Sequence, residues 1–314
     1  MGSISVGEPV KAGWRNIFRP WSLHGAIVPA LIGGMLAFDV DFSISKLLLF
    51  VLALVACGLF QSIANIFNTY GDFVKGADTL ENEARSPELV SGIMTTKQVL
   101  SAGISCIVAL CVIGSIFLWY WKDNLFALCV IIAYGAIGIF SSTMYTVGVS
   151  YKYHGFGQIM VFIMFGFLMP SGVYFFLTGQ MFTWQHILIC LPNALIITGV
   201  LAGNEMRDYY EDKKSKIKTL SGCMSYEHGM ALYLYESLVP FIILFGLVIG
   251  GVVPLLCSIG FIALYDEYLL YANSKEAPFD NHASFMLVPI CFRLNWHFGI
   301  LLVLGYTASR FVGC

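Results

Sequence analysis

Charged residues are scarce in this sequence. Only 11% of its 314 residues are Asp, Glu, Lys or Arg, whereas soluble domains carry about 25%. This scarcity excludes a molecule whose surface faces water over most of its area. The mean hydropathy is +0.78, and apolar stretches long enough to cross a bilayer recur along the whole chain. The sequence therefore leaves no room for a sizeable soluble domain and predicts an integral membrane protein.

Other familiar signals are also missing. The nine cysteines are scattered and none forms a Cys-x-x-Cys pair, which argues against a zinc site or a disulfide framework. We interpret them as small buried hydrophobic residues. No ten-residue segments of alternating polarity suggest a β-barrel, so the membrane-spanning elements are expected to be helices. No cleavable signal is expected, because a polar N-terminus leads directly into the first apolar run.

The apolar pattern predicts an all-α polytopic membrane protein with about nine spans in one bundle. The whole chain, 1–314, is expected to be a single transmembrane domain, with 1–22 as a cytoplasmic N-terminal segment. Small residues at Gly33, Gly34, Gly246, Gly250, Gly251 and Gly299 would permit close helix packing. The predicted spans are 23–41, 46–70, 97–120, 124–142, 156–178, 184–205, 227–247, 249–271 and 296–313.

The distribution of positive charge predicts the topology. Of 17 Lys and Arg residues, only Lys46, Lys122 and Arg310 fall on one side of the predicted bundle. Positive residues accumulate on the cytoplasmic side, so the N-terminus and the even-numbered loops are expected there, in a bacterial-type cytoplasmic membrane. The fourteen residues on that side are Lys11, Arg15, Arg19, Lys75, Arg85, Lys97, Lys152, Arg207, Lys213, Lys214, Lys216, Lys218, Lys275 and Arg293.

The second span runs into a polar segment on the predicted cytoplasmic side. Asn65, Asn68 and Asp72 are spaced i, i+3, i+7, so they share one face if the helix continues that far. Asp78 and Arg85 follow in the loop. Alone, such a segment could be a solvated loop or a helix-cap cluster.

A matching segment ends the sixth span. Asn204, Asp208 and Asp212 are spaced i, i+4, i+8, again on one helical face, and Arg207 lies among them. Two apolar helices thus present amides and carboxylates on the same membrane side. Such oxygen atoms suit Mg²⁺, which binds a few carboxylates together with phosphate oxygens of a substrate. The positive charge needed by a leaving diphosphate could come from Arg85, Lys152, Arg207 and Lys218.

Three acids at predicted membrane depth are further candidates for functional residues, because polar residues at that depth are often functional. For Glu236, a hydrogen bond to a neighbouring helix is as good an interpretation as chemistry. Asp266 and Glu267 are expected near the cytoplasmic interface. Aromatic residues near the polar side form either an interface belt or a surface that stabilises a cation.

At these residues the chain resembles the UbiA superfamily of intramembrane prenyltransferases, and most closely its 1,4-dihydroxy-2-naphthoate polyprenyltransferase branch. The first motif is Asn68-Thr-Tyr-Gly-Asp72-Phe-Val-Lys-Gly-Ala-Asp78, and the second is Asn204-Glu-Met-Arg207-Asp208-Tyr-Tyr-Glu-Asp212. Weaker matches are Arg19-Pro-Trp-Ser-Leu23, Tyr145-Thr-Val-Gly148 and Tyr153-His-Gly-Phe-Gly157. The chain departs from the branch at Thr69, Gln158 and Lys216, and it matches poorly over 272–295.

The resemblance implies a helical bundle with a central cavity in which a polyprenyl diphosphate meets an aromatic acceptor, with Mg²⁺ as cofactor. It implies catalytic roles for Asp72, Lys152, Arg207 and Asp208. Substrate-binding residues would be Asn65, Asn68, Arg85, Tyr145, Tyr153, Asn204 and Lys218, and metal ligands would be Asn68, Asp72, Asp78, Asn204, Asp208 and Asp212. The expected acceptor is 1,4-dihydroxy-2-naphthoate, and the alternatives are 4-hydroxybenzoate or another phenol or quinol. A transporter whose acidic helix ends bind ions is the alternative from another class of protein.

Overall fold

A computed structural model describes residues 13–77, 87–214 and 217–312. Within these ranges, thirteen α-helices follow one another and no strand is formed. They are α1 (Trp14–Phe18), α2 (His24–Val40), α3 (Ile44–Val74), α4 (Pro87–Val90), α5 (Thr96–Tyr120), α6 (Leu125–Met144), α7 (Gly157–Ile163), α8 (Met169–Thr178), α9 (Trp184–Arg207), α10 (Tyr209–Lys214), α11 (Tyr226–Ile249), α12 (Leu264–Glu276) and α13 (Asn281–Val312).

Shorter helical pieces join several of these helices. A π-helical turn, Met164–Leu168, connects α7 to α8 without a break, so the two form one span. A 3₁₀ helix, Leu255–Ala263, runs directly into α12. Single 3₁₀ turns lie at Pro20–Ser22, Tyr151–Tyr153 and Ser221–Cys223. Turns of π-helix inside α-helices are frequent at functional sites, and this one lies in the wall of the cavity described below.

The predicted helical membrane bundle is confirmed. Among the described residues, eight helices are long and apolar enough to cross a membrane. A ninth span is formed if the segment Trp14–Ser22 is taken together with α2, to which it is bent by 42°. The protein is therefore a multi-pass integral membrane protein.

Most predicted spans agree with the observed helices to within a few residues, but the last span does not. It was predicted at 296–313, whereas α13 begins at Asn281. The polar residues before 296 suggested a loop, although Leu287, Cys291 and Leu294 recur at helical spacing and are buried. The span predicted at 249–271 is likewise displaced, since its helical structure runs from Leu255 to Glu276.

The helix starts are explained by local sequence. Ser43 caps α3 and Asn124 caps α6, each accepting a backbone hydrogen bond from the third residue of its helix. Thr95 and Gln98 form a reciprocal capping box at the start of α5. These caps satisfy backbone N–H groups at helix ends.

The centre of the bundle is α9, the most buried of the spans. It packs against α11, α13 and α7, while α2 packs against α8 and α13, and α3 packs against α5 and α6. One large hydrophobic cluster joins most of these helices, and a smaller one lies between α1, α3 and α5. This arrangement brings the C-terminal ends of α3 and α9, which carry the two polar motifs, to the same cavity.

The expectation about small residues holds for some glycines and is wrong for others. A Cβ on Gly33 would lie 2.9 Å from the Pro170 Cα, and one on Gly299 would overlap the Val28 side chain. The backbones approach closely at these points only because the side chains are absent. Gly246, in contrast, faces open space, so it does not serve helix packing within this chain.

Candidate active site

A large cavity lies inside the bundle. Its volume is about 1170 Å³. Most of its wall is apolar and comes from all the long helices except α11 and α12. Polar side chains of both motifs lie together along part of this wall. A long apolar space that carries a group of polar residues suits an amphiphilic ligand with a charged head.

The α3 motif forms the acidic side of this polar region. α3 continues to Val74, so Asn65, Asn68 and Asp72 do share one helical face, and all three line the cavity. The Lys152 ammonium donates to both carboxylate oxygens of Asp72, at 2.9 and 3.0 Å, and to Asn68 Oδ1 at 3.1 Å. The Tyr153 hydroxyl also donates to Asp72. The acid is thereby held by donors from a distant part of the chain.

Asn65 has a second set of contacts. Its Nδ2 donates to the Phe18 carbonyl at 3.0 Å and to Ser22 Oγ at 2.9 Å. Its Oδ1 accepts from Gln61 Nε2 at 3.3 Å. Asn65 thus ties α3 to the segment that precedes α2, while it also lines the cavity.

The loop after α6 carries Lys152 into the site. Ser150 precedes the 3₁₀ turn in a left-handed conformation, with φ of 53°, which costs a non-glycine residue about 1–2 kcal/mol. Lys75 donates to the Ser150 hydroxyl and lies 4.4 Å from the centre of the Tyr153 ring. These contacts hold the loop against the end of α3.

Tyr145 lines the cavity at the base of this loop. Burial raises the pKa of its phenol, and the charges of Glu205 and Asp72 raise it further. Burial likewise raises the pKa of Tyr151, whose hydroxyl donates to the Ser141 carbonyl. Both phenols therefore stay protonated at physiological pH and can act as hydrogen-bond donors rather than as bases.

The α9 motif meets the cavity through Asn204 and Arg207. The Arg207 guanidinium binds Asp208 through two hydrogen bonds of 2.9 Å, the bidentate arrangement that fixes both groups. Asp208 is buried and is not among the cavity-lining residues. The helix breaks at Asp208, and α10 follows with Asp212. The backbone bonds from Asp208 N to Asn204 O and from Asp212 N to Asp208 O preserve the i+4 spacing across the break.

The remaining nominated residues lie elsewhere. Lys218 forms a backbone bridge to His154 and its side chain is exposed, so it lies beside the Lys152 loop and outside the cavity wall. Tyr153 reaches the site through its bond to Asp72. Asp78 and Arg85 lie outside the described residues. Their predicted roles stay predictions.

Three residues of the site were not nominated from the sequence. Arg19, which begins one of the weaker motif matches, lines the cavity in a left-handed conformation. Glu205 lies inside the second motif and accepts hydrogen bonds from Gln158 Nε2 at 2.7 Å and Ser221 N at 2.9 Å. Arg293 lines the cavity from α13. The motif position was the available signal for Arg19 and Glu205, whereas no motif marked Arg293.

Asp266 and Glu267 are buried within the bundle, and their expected position at the cytoplasmic interface stays a prediction. Glu267 accepts from Ser237 Oγ at 3.1 Å. Asp266 binds Arg293 Nε at 2.7 Å and His297 Nδ1 at 2.5 Å. Glu236 is also buried.

Aromatic residues near the polar ends of the helices lie in different places. Tyr145 and Tyr151 line the cavity. Phe67, Tyr70 and Phe73 pack against the smaller hydrophobic cluster instead. The cavity wall receives most of its rings from residues that were not nominated, namely Phe60, Phe117, Tyr134, Phe165, Phe176 and Phe292.

The donor set of the first motif fits a hard cation. Asn68 Oδ1 and both carboxylate oxygens of Asp72 already converge on one positive atom, Lys152 Nζ, within 2.9–3.1 Å. Among residues 13–77, 87–214 and 217–312, no three His, Cys, Asp or Glu side chains gather into a metal-binding group. Mg²⁺ is usually held by one or two carboxylates plus substrate phosphates.

Comparison with known proteins agrees with the fold. The sequence model of the UbiA prenyltransferase family matches residues 26–295. A Drosophila melanogaster homolog of UbiA prenyltransferase domain-containing protein 1 is 29% identical over 294 residues, covering 91% of this chain and 77% of the relative. The 1,4-dihydroxy-2-naphthoate octaprenyltransferase of Bacillus subtilis is 28% identical over 309 residues, covering 94% and 92%.

The fold has a solved counterpart. A UbiA homolog from Archaeoglobus fulgidus, whose structure was solved bound to DMAPP and Mg²⁺, superposes with a TM-score of 0.56 at 12% identity, covering 92% of this chain and 98% of that one. The fold and the family match together define a membrane-embedded enzyme. The chain belongs to the UbiA prenyltransferase family and is an aromatic prenyltransferase. The transporter alternative is thereby set aside.

Proposed function

We propose that this enzyme transfers a polyprenyl group from an isoprenoid diphosphate to 1,4-dihydroxy-2-naphthoate, a step of menaquinone biosynthesis. One observation carries the proposal. Both polar motifs and the two basic residues Lys152 and Arg207 meet at one apolar cavity of about 1170 Å³. The relative from Bacillus subtilis, named for this reaction, matches along nearly its whole length and supports the choice of acceptor.

The diphosphate head would lie against the ends of α3 and α9. Asn68, Asp72, Asn204 and Asp208 would hold Mg²⁺, with Asp78 and Asp212 in support. When bound, Mg²⁺ neutralises charge on the diphosphate and so favours its departure. Lys152 and Arg207 add positive charge and hydrogen-bond donors to the same leaving group. Asn65 and Tyr153 keep the acidic face in place through the contacts described above.

The apolar wall would serve the prenyl tail and the cation that forms from it. The bond between the allylic carbon and the diphosphate oxygen breaks, and its electron pair leaves with the diphosphate. Ring faces such as those of Phe60 and Tyr134 stabilise positive charge, and the dry wall keeps water from capturing it. Tyr145, a protonated phenol, can donate a hydrogen bond beside this point.

The acceptor then supplies the electrons for the new bond. The ring carbon that carries the carboxylate attacks the allylic carbon, and carbon dioxide leaves with its bonding pair returned to the ring. The products are the prenylated quinol, carbon dioxide and diphosphate. We further propose that residues 1–314 form one prenyltransferase domain in a bacterial-type membrane. The motifs would face the cytoplasm, because Lys and Arg accumulate on that side.

The test uses the two motif acids. In membranes supplied with labelled polyprenyl diphosphate, dihydroxynaphthoate and Mg²⁺, Asp72→Asn and Asp208→Asn are each expected to lower turnover about 100-fold or more. Near wild-type turnover in both variants would exclude the metal assignment. Asp41→Asn is a matched control, because Asp41 pairs with Lys46 at an exposed position far along the chain from both motifs.

Relatives of two different names match this chain with similar identity, so the acceptor needs its own test. A panel of dihydroxynaphthoate, 4-hydroxybenzoate and neutral quinols, analysed by product mass, identifies the ring that is prenylated. Product from another ring and none from dihydroxynaphthoate would overturn the acceptor assignment and leave the prenyl transfer intact.

A further inference from the structure

One wall of the cavity is a single face of α13. Its lining residues recur every three or four positions, which is the spacing of one helical stripe. Among them, all within the described part of the chain, Arg293 alone is charged. A charged side chain on an otherwise apolar wall inside a membrane bundle marks a functional position. The stripe consists of Phe285, Val288, Pro289, Phe292, Arg293 and Trp296.

Arg293 is held in place by a buried acid from the neighbouring helix. Its Nε lies 2.7 Å from Asp266 Oδ1 in an ion pair, and the other oxygen of Asp266 contacts His297 Nδ1 at 2.5 Å. The side chain of Asp266 is 4% exposed, whereas that of Arg293 is 44% exposed. An ion pair with one exposed partner gives little net stability. Its value here lies in fixing the direction of the guanidinium.

The pairing leaves most of the guanidinium available. Arg carries five N–H donors in a planar fork, and its ion-pair contact with Asp266 is made through Nε. Within the described residues, no hydrogen bond is formed by the two terminal nitrogens, Nη1 and Nη2. These two donors match the two oxygens of a carboxylate in a bidentate pair. Arg293 is therefore arranged to bind one more anionic group from the cavity.

Aromatic rings stand beside this donor pair. The His24 ring lies 4.5 Å from the Phe292 ring and 6.1 Å from the Trp296 ring, measured between centroids. All three side chains line the cavity. Phe292 and Trp296 belong to α13, like Arg293, and His24 belongs to α2. Such rings pack favourably against a flat aromatic ligand. A planar ring bearing a carboxylate would satisfy both features together.

We propose that Arg293, oriented by Asp266, binds the carboxylate of an acidic aromatic acceptor and so sets the preference for that acid over the neutral quinol. The proposal rests on the function proposed above and adds the residue that recognises the acceptor. The diphosphate has its own cations, Lys152 and Arg207, on other elements. The carboxylate leaves as neutral carbon dioxide, so the product loses its bond to Arg293 and is released more readily.

The proposal predicts which kinetic constant changes. Binding that is equal in the ground state and the transition state affects KM and leaves kcat alone. With donor and Mg²⁺ saturating, Arg293→Gln is expected to raise KM for dihydroxynaphthoate about 10- to 100-fold, the effect of losing a charged hydrogen bond. KM for naphthalene-1,4-diol, which lacks the carboxylate, and KM for the donor are expected to stay unchanged. Arg293→Lys should restore part of the binding.

Two further variants separate recognition from folding. Arg310→Gln removes another arginine of the same helix, one paired with Asp39 at its far end, and is expected to change neither KM. Asp266→Asn should raise KM for the acid less than the Arg293 variant does, and the double variant should equal Arg293→Gln alone, because both act through one contact. Thermal unfolding of each variant in detergent shows whether the fold is intact.

A binding measurement without turnover distinguishes failure of this proposal from failure of the proposed function. Quenching of tryptophan fluorescence by dihydroxynaphthoate, with no donor present, should be weakened in Arg293→Gln even if the wild type prenylates a different ring. If 4-hydroxybenzoate proves to be the substrate, the same comparison with phenol replaces the naphthalene pair. Three outcomes would each overturn the assignment to the acceptor carboxylate. They are an equal loss of binding for acid and neutral acceptors, a rise in KM for the prenyl donor, and an effect that requires anionic lipid.

Discussion

Replacing Lys152 by methionine should separate the electrostatic contribution of this side chain to catalysis from its contribution to packing. The Lys152 ammonium is the shared partner of Asp72 and Asn68, at 2.9–3.1 Å, and it lies 5.3 Å from the centre of the Tyr153 ring. Methionine keeps much of the length of the side chain and removes its charge and donors. The variant thus leaves the apolar wall filled and takes away one cation from the diphosphate.

The contacts indicate the size of the effect. Removing one preorganised donor from a developing negative charge costs about 2.7–4 kcal/mol, or about 100- to 1,000-fold in kcat. The cost in stability should be smaller. The side chains of Lys152 and Asp72 are 21% and 11% exposed, and the Tyr153 hydroxyl still donates to Asp72. We therefore expect a loss of about 1–2 kcal/mol, between the values for exposed and buried pairs.

The assay measures turnover of a labelled prenyl diphosphate in proteoliposomes, together with thermal unfolding in detergent. Lys275→Met is the control, because Lys275 is exposed and lies over the Tyr271 ring, at 4.2 Å, away from the cavity. It should retain full turnover. Lys152→Arg, which keeps the charge, should recover part of the activity. Turnover of Lys152→Met within about threefold of the wild type would refute the reasoning, since the ammonium would then contribute nothing to the departure of the diphosphate.

Two other predictions concern packing and protonation. Gly33→Ala should destabilise the bundle by about 1–3 kcal/mol, because its new methyl group meets the Pro170 backbone. Gly58→Ala, whose methyl group meets nothing within 4 Å, should be neutral. Equal unfolding temperatures for the two variants would contradict this prediction. Tyr145→Phe should leave the shape of the pH profile of kcat/KM unchanged between about pH 6 and pH 10, because the raised pKa keeps Tyr145 protonated throughout. Loss of an alkaline limb in the variant would instead identify Tyr145 as a titrating group.

Much of the bundle could be predicted because its signals are local. Apolar runs of bilayer length, bounded by caps such as Ser43 and Thr95, define most spans. The same holds for the face shared by Asn65, Asn68 and Asp72, which depends only on continuation of one helix. The start of α13 could not be predicted so well, because polar residues interrupt an apolar pattern that tertiary packing nevertheless buries.

The partners of the acids depend on contacts between distant parts of the chain. Lys152 was a candidate by charge alone, and nothing in its spacing shows that it pairs with Asp72, 80 residues earlier. The bond between Gln158 and Glu205 is similar. Gln158 is one of the positions where the chain departs from the family branch, and its amide donates to a buried carboxylate. Such pairs follow from how the helices are placed in space, which a single sequence does not state.

The part of the cavity that would bind the prenyl donor (the donor side) and the part that would bind the aromatic acceptor (the acceptor side) differ in how the sequence encodes them. The donor side uses residues that lie close together in the chain, at the ends of α3 and α9, so their spacing reveals them as motifs. The proposed acceptor side joins Arg293 of α13 to Asp266 of α12 and to His24 of α2, residues drawn from both ends of the chain. Two of these lie in or beside the region, 272–295, that resembles the family branch poorly. Variation there can change the acceptor while the chemistry of the donor stays fixed, because each side has its own cations.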